Sequence, residues 1–228
     1  MQLFHHPFCP HSRFVRLLLG EYSIEVELIE ERVWERRQEF LVLNPAGTTP
    51  VLLDKGSAIA GASVLGEYID ETRGIGMGDY RLMPLDPVAR AEVRRLVSWF
   101  NEKLFMEVSE PLVREKIYKR RMPNELGGGA PESAAIHAAR SNIRYHLRYI
   151  GWLAKARNWL AGDRLTYADF AAAAHLSSAD YLGDVPWNED ETAKAWYARV
   201  KSRPAFRPLI AESVPGLPPS ASYADLDF

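Results

Sequence analysis

Residues 166–182, TYADFAAAAHLSSADYL, constrain the fold more than any other stretch of the chain. Read as a helix, the segment is apolar nearly all round, and such a helix has to be enclosed by other elements. Thr166 and Asp169 fit a capping box at its start, which gives Asp169 a structural rather than a catalytic role. Helical patterns flank it at 87–121, where Pro111 should kink the helix, at 133–156 and 189–202, and briefly at 204–211. The second half is therefore expected to be all-helical, packed around 166–182. Residues 124–131, with Gly127, Gly128 and Gly129, read as a flexible loop within it.

The first half has a different rhythm. QLFH at 2–5 reads as a strand, and Pro10 opens a helix with Val15, Leu18, Leu19 and Tyr22 on one face. A strand at 25–29 carries Val26 and Leu28 on one face, and 33–43 reads as a half-exposed helix. Short strands at 50–53 and 57–59 surround a turn, and a helix over 62–73 turns Val64, Leu65, Tyr68 and Ile69 inward. The order β-α-β then β-β-α defines a small α/β domain. Gly74, Gly76 and Gly78 mark its end. The expected divisions are 1–78, a linker at 79–86, the helical domain at 87–212, and a Pro-rich tail at 213–228 with an acidic and aromatic end.

Charge and cysteine usage exclude several classes of function. The net charge of -2 argues against nucleic-acid binding by bulk charge. The single cysteine, Cys9, cannot form an internal disulfide, which points to a reducing, cytoplasmic compartment. No segment approaches the length of a membrane span. His5, His6, Cys9 and His11 match no structural zinc spacing, so no metal is expected.

HHPFCPHSRFVRLLL, NPAGTTPVL and WLAGDRLTYADF occur in the order seen in the glutathione transferase superfamily, which the chain resembles over roughly residues 1–211. The resemblance implies a thioredoxin-like α/β domain followed by an all-α bundle. CPHS at 9–12 resembles the CPxS or CPxC element of glutaredoxins and omega-type transferases. A cysteine at a helix N-terminus gains thiolate character from free N–H groups and the dipole, and Arg13 and Arg16 add positive charge nearby. The family's chemistry would make Cys9 a nucleophile toward glutathione, or make Ser12 the hydroxyl that stabilises a glutathione thiolate. The other reading of Cys9 is a small apolar residue. By the same resemblance, Thr49 and a cis Pro50 would pair with the cysteinyl part of glutathione and Ser63 would hold its γ-glutamyl carboxylate. The acid or amide that usually precedes this serine is absent, because the residue is Ala62. A charge-assisted hydrogen bond contributes about 1.5–3 kcal/mol, so Cys9, Thr49, Pro50 and Ser63 read as an incomplete glutathione site.

Three features are not needed for that core. Trp34 sits among charges in EERVWERRQEF, either as an interface anchor or folded back on the core. Residues 114–121, REKIYKRR, hold five bases and one acid in a chain that is acidic overall, either as a solvated helix end or as a patch for an acidic partner. The tail is either a strap of no consequence or a recognition motif, in which Tyr223, Leu226 and Phe228 alternate with Asp225 and Asp227. With these features included, the whole chain resembles a branch of transferase-like bacterial division proteins that bind FtsZ. That resemblance implies a catalytically inactive, cofactor-free cytoplasmic homodimer at the division site. Such a dimer would bind FtsZ filaments, favour curved or bundled filaments and promote constriction. The candidate contacts are Arg114, Lys116, Lys119, Arg120 and Arg121, with Trp34, Glu115, Asp225, Asp227 and Phe228. The tail is a candidate for a second division protein; neither nucleic acid nor membrane insertion is implied. The alternatives are a glutathione-dependent transferase or thiol–disulfide reductase using Cys9, and a peptide-binding adaptor unrelated to FtsZ.

Overall fold

The computed structural model describes residues 1–225; Leu226, Asp227 and Phe228 lie outside the described residues. Strand β1 (Gln2–His5), helix α1 (Pro10–Glu21) and strand β2 (Glu27–Glu30) form a parallel β-α-β unit. Strands β3 (Val51–Asp54) and β4 (Ser57–Ala60) and helix α3 (Ala62–Thr72) complete the α/β half. The sheet order is β2-β1-β3-β4, with β3 antiparallel to both of its neighbours. Leu3 and Leu52 pair across the sheet and are buried against Phe14, Val15, Leu18 and Leu65.

Two local expectations fail here. Val64 is 57% exposed, because the inward stripe of α3 runs through Leu65 and Ile69, four residues apart. The segment 33–43 is not one helix. Val33–Glu35 form a single tight turn, Arg36 takes the left-handed conformation with φ 45°, and α2 begins only at Gln38 (Gln38–Leu43). The break is held by Arg37, whose guanidinium reaches the buried Glu31 carboxylate at 2.5 Å.

The second half is helical. Helix α4 (Pro87–Ser98) continues through wide π turns over Trp99–Ser109 into α5 (Glu110–Val113) and a further wide stretch, Arg114–Tyr118. The expected kink at Pro111 is replaced by these turns. The N–H of Glu110 bonds the Phe105 carbonyl, and that of Lys119 bonds the Arg114 carbonyl, each five residues back. The gap left by the missing proline N–H is thus taken up by widening on both sides. Then follow α6 (Ser133–Ala156), α7 (Tyr167–Tyr181), α8 (Glu191–Lys201) and α9 (Arg207–Ile210). Every residue of α7 is buried, as its sequence demands. Its capping box is formed, and Asp169 also accepts from Leu160 N at 3.0 Å and Trp196 Nε1 at 2.9 Å.

The two halves share one apolar core. Their connection is pinned by the buried Asp70, which accepts from Arg81 at 2.7 and 2.8 Å and from Arg90 at 2.8 Å. The glycine-rich stretch after α5 is folded back rather than loose: Gly128 N bonds Pro123 O at 3.0 Å and Gly129 N bonds Lys119 O at 3.2 Å. Among the described residues no helix is long and apolar enough to cross a membrane.

Candidate functional site

Cys9 caps the N-terminus of α1, and Pro10 fits the first turn, where no N–H is needed. The turn into the helix is closed by Cys9 N to His6 O at 3.0 Å and Arg13 N to Cys9 O at 2.9 Å. The thiol is 7% exposed and lies 3.7 Å from the carbonyl of Thr49, whose bond to Pro50 is cis as expected. Burial works against its ionisation. The His11 imidazole beside it, through a hydrogen bond and its charge, and then Ser12, outweigh burial and bring the thiol from 9.0 down to about 7. His11 Nε2 is 2.8 Å from the Asn101 carbonyl, an acceptor, so Nε2 carries the hydrogen and Nδ1 is left for the thiol.

His11, which the sequence raised only as a metal ligand, is the residue set beside the thiol. Its signal was available, since a residue two places after an N-cap cysteine shares the first helical turn with it. The charge expected from Arg13 and Arg16 goes elsewhere. Arg13 donates to Pro7 O, Ser177 Oγ and Tyr223 OH, and Arg16 to Glu212 at 2.5 Å. Ser12 is fully buried and accepts from His6 N at 3.4 Å, so it does not present a hydroxyl to a ligand.

Cys9 opens on a cleft of about 550 Å³ between the two halves. The α/β wall carries Thr49, Gly61, Ala62 and Ser63. Ser63 is exposed there, whereas Ala62 is buried and offers no polar group. The helical wall carries Asn101, Phe105, Glu110, Arg114, Tyr118 and Met122. These are four or five residues apart, and the wide turns keep them on one face, where an ordinary α-helix would carry the stripe away. Burial raises the Glu110 carboxyl despite Arg114 at 3.8 Å.

The remaining expected residues sort into three places. Trp34 does not project into water. It is half-buried, 5.7 Å from the His6 ring and 5.1 Å from the Tyr118 ring, and lines the cleft. The basic segment is largely neutralised: Arg114 faces Glu110, Lys116 holds Asp184 at 2.7 Å, Lys119 holds Glu115 at 2.6 Å, and Arg121 faces Glu30 at 3.6 Å. Glu115 is buried and also accepts from Glu132 N, so it is a structural anchor rather than a surface contact. Arg120 is exposed and has no ion-pair partner among the described residues. The tail is a fitted strap. Ser220 donates to Asp180 O, Lys201 holds the carbonyls of Ser222 and Asp225, and Tyr223 is fully buried between Arg13 and the Leu209 carbonyl. Tyr223 is therefore not a free recognition anchor. Asp225 is exposed, whereas Asp227 and Phe228 lie outside the described residues. No group of His, Cys, Asp and Glu suited to a metal occurs among the described residues.

A thioredoxin-like sheet with a cysteine-capped first helix, a cis-proline loop and a helical bundle across the cleft define a class. The glutathione S-transferase N-terminal domain family matches residues 8–72 and the C-terminal domain family matches residues 106–204, and this chain belongs to the glutathione S-transferase family. Within it, the chain is 46% identical over 230 residues to FtsZ-localized protein A of Caulobacter vibrioides, covering 99% of this chain and 97% of that one. The structure of FzlA from C. crescentus aligns with a TM-score of 0.89 at 45% identity, covering 100% of this chain and 99% of that one. A glutathione S-transferase from Sinorhizobium meliloti aligns with a TM-score of 0.98 at 55% identity, over 100% of this chain and 99% of that one.

Proposed function

We propose that this protein is a bacterial division protein that associates with FtsZ filaments and has no catalytic role of its own. The observation that carries the reading is the 46% identity to FtsZ-localized protein A along 99% of the chain, strap included. The cleft agrees with it, since Ala62 leaves the α/β wall without a partner for the γ-glutamyl amine of glutathione. In this reading the protein acts in the cytoplasm at the division site as a homodimer. Two equivalent surfaces would engage neighbouring subunits of a polymer, converting weak contacts into avid ones and favouring curved or bundled filaments during constriction. The proposed contacts are led by Arg120 and Arg114, the exposed bases of the 114–121 segment. Lys116, Lys119, Arg121, Trp34 and Glu115 support that surface from within, and Asp225, Asp227 and Phe228 form the tail end, a candidate for a second division protein. The test is co-sedimentation with GTP-assembled FtsZ at near-physiological salt. The protein should pellet with the filaments, and Arg114→Glu with Arg120→Glu should reduce pelleting; a protein that stays in the supernatant contradicts the reading.

A second reading, a glutathione-dependent transferase or thiol–disulfide reductase, is favoured by one observation: a thiol near 7 on the wall of an open cleft. Retention on immobilised glutathione, with turnover abolished by Cys9→Ala, would support it.

A further inference from the structure

One edge of the sheet is open and has an apolar trough beside it. In the order β2-β1-β3-β4, β2 is outermost, and among the described residues no strand lies beyond it. Its inner side is fixed by β1: Glu27 N bonds Met1 O at 3.1 Å and Glu31 N bonds His5 O at 2.7 Å. By the alternation of a strand, the peptide groups of Leu28 and Glu30 face the other way, toward the open side. The trough has a volume of about 550 Å³. It is lined by Leu19 of α1, by Ile24, Val26 and Leu28 leading into and along β2, and by Pro204 and Pro208. Leu28 is still 45% exposed there. A strand added at this edge would bond Leu28 and Glu30 and lay every second side chain into the trough.

The charges decide which strand fits. The one base lining the trough, Arg16, is held by Glu212 at 2.5 Å. Glu25, the acid lining it, is exposed and has no ion-pair partner among the described residues. Glu27 meets the Gln2 amide at 2.9 Å and no base among the described residues. Glu30 lies 3.6 Å from Arg121 and 3.9 Å from Arg32. Two carboxylates therefore stay uncompensated beside an open ladder. A second copy of this chain, pairing edge to edge, would bring like charges together, which is unfavourable. A strand that carries bases is favoured instead.

We propose that the outer edge of β2, with the trough beside it, is a docking site for an extended segment of a partner protein in which apolar residues alternate with lysine or arginine. The apolar side chains enter the trough beside Leu28. Glu27 points to the opposite face of the strand, so the alternate, basic residues meet it. The backbone of the segment bonds the free peptide groups of Leu28 and Glu30, and Glu25 draws a further base at the end. The site shares no lining residue with the cleft that holds Cys9. It does not rest on filament association, and its test contains no FtsZ.

The test uses purified full-length protein and a fluorescein-labelled peptide in which lysines alternate with valines. Binding is read by anisotropy at low ionic strength, and amide exchange by NMR. The peptide should saturate one site per chain. At saturation the Leu28 and Glu30 amides should exchange at least about tenfold more slowly, while those of Glu27 and Glu31, already bonded to β1, should not change. A peptide of the same composition with its lysines in one block and its valines in another should bind at least about tenfold more weakly, and so should Leu28→Lys toward the alternating peptide. Absence of binding, equal binding of the block peptide or of Leu28→Lys, or unchanged exchange at Leu28 and Glu30 would overturn the proposal. Protection of those amides in the protein alone, growing with its concentration, would give the edge to a second copy and overturn it too. Should Leu28→Lys fail to fold, the block peptide and the exchange pattern of the wild-type chain decide it.

Discussion

The two walls of the cleft are built to different standards. Around Cys9 a chain of polar contacts holds the thiol: the thiol by His11 and Ser12, His11 by the Asn101 carbonyl, and Asn101 Oδ1 by His175. Elsewhere on the lining, Gly61, Ala62 and Ser63 face the space with a single exposed hydroxyl. The difference suggests that thiol activation and glutathione recognition are separable: the first rests on a helix N-terminus and an adjacent imidazole, and in the proposed reading the second would need an acid or amide at position 62, where this chain has Ala.

The largest expected effect lies at the end of β1, where His5 and the following His6 are buried. Burial, with Arg16 and Arg13 nearby, holds His5 down at about 3, and burial, with His5 and Arg121, does the same for His6. Their folded values lie below the ordinary 6.5, so the unfolded chain binds more protons and stability falls as pH drops from 6.5 toward 3. Burial lowers His11 too, but the Cys9 thiol outweighs it and leaves His11 raised, an opposing contribution. Two buried neutral histidines should cost roughly 2–5 kcal/mol between about pH 6.5 and 4.5, read by urea unfolding at each pH. A flat profile would mean that the end of β1 opens to water.

The open wall can be completed. Ala62→Glu places the missing acid before Ser63 and should strengthen glutathione binding by about 1.5–3 kcal/mol, roughly tenfold to a hundredfold, by isothermal titration. No change would mean that the absent acid is not what separates the two walls. The smallest effect tests the thiol. His11→Gln should return Cys9 toward its unperturbed range and slow its alkylation at neutral pH about tenfold, with the midpoint of the pH–rate profile moving up. An unmoved midpoint would assign the activation to the helix terminus alone.

Much of the fold was legible in the sequence because it rests on local rules. The buried α7 followed from its uniform apolarity, its start from Thr166 and Asp169, and the sheet from alternating apolar residues. The cleft was half legible. Cys9, Thr49 and Ser63 do meet there, with the cis bond to Pro50 shaping the turn that carries Thr49. Asn101 and Phe105 were not legible, because only the wide turns of Trp99–Ser109 bring them round to face Cys9. Charge was the least legible property. Arg13 and Arg16 read as activators of the thiol but hold Tyr223 of the strap and Glu212 just before it, and the bases of 114–121 read as a patch, but two face acids four residues back and two face acids distant in sequence. A run of like charge reports composition, and only the fold decides which charges stay free.

The central claim is that the protein acts by holding FtsZ filaments and not by glutathione chemistry in the cleft. The most direct measurement is co-sedimentation of wild-type protein and Cys9→Ala with GTP-assembled FtsZ, side by side at near-physiological salt. Both should pellet to the same extent. A wild-type protein left in the supernatant, or pelleting that disappears with the thiol, would contradict the account.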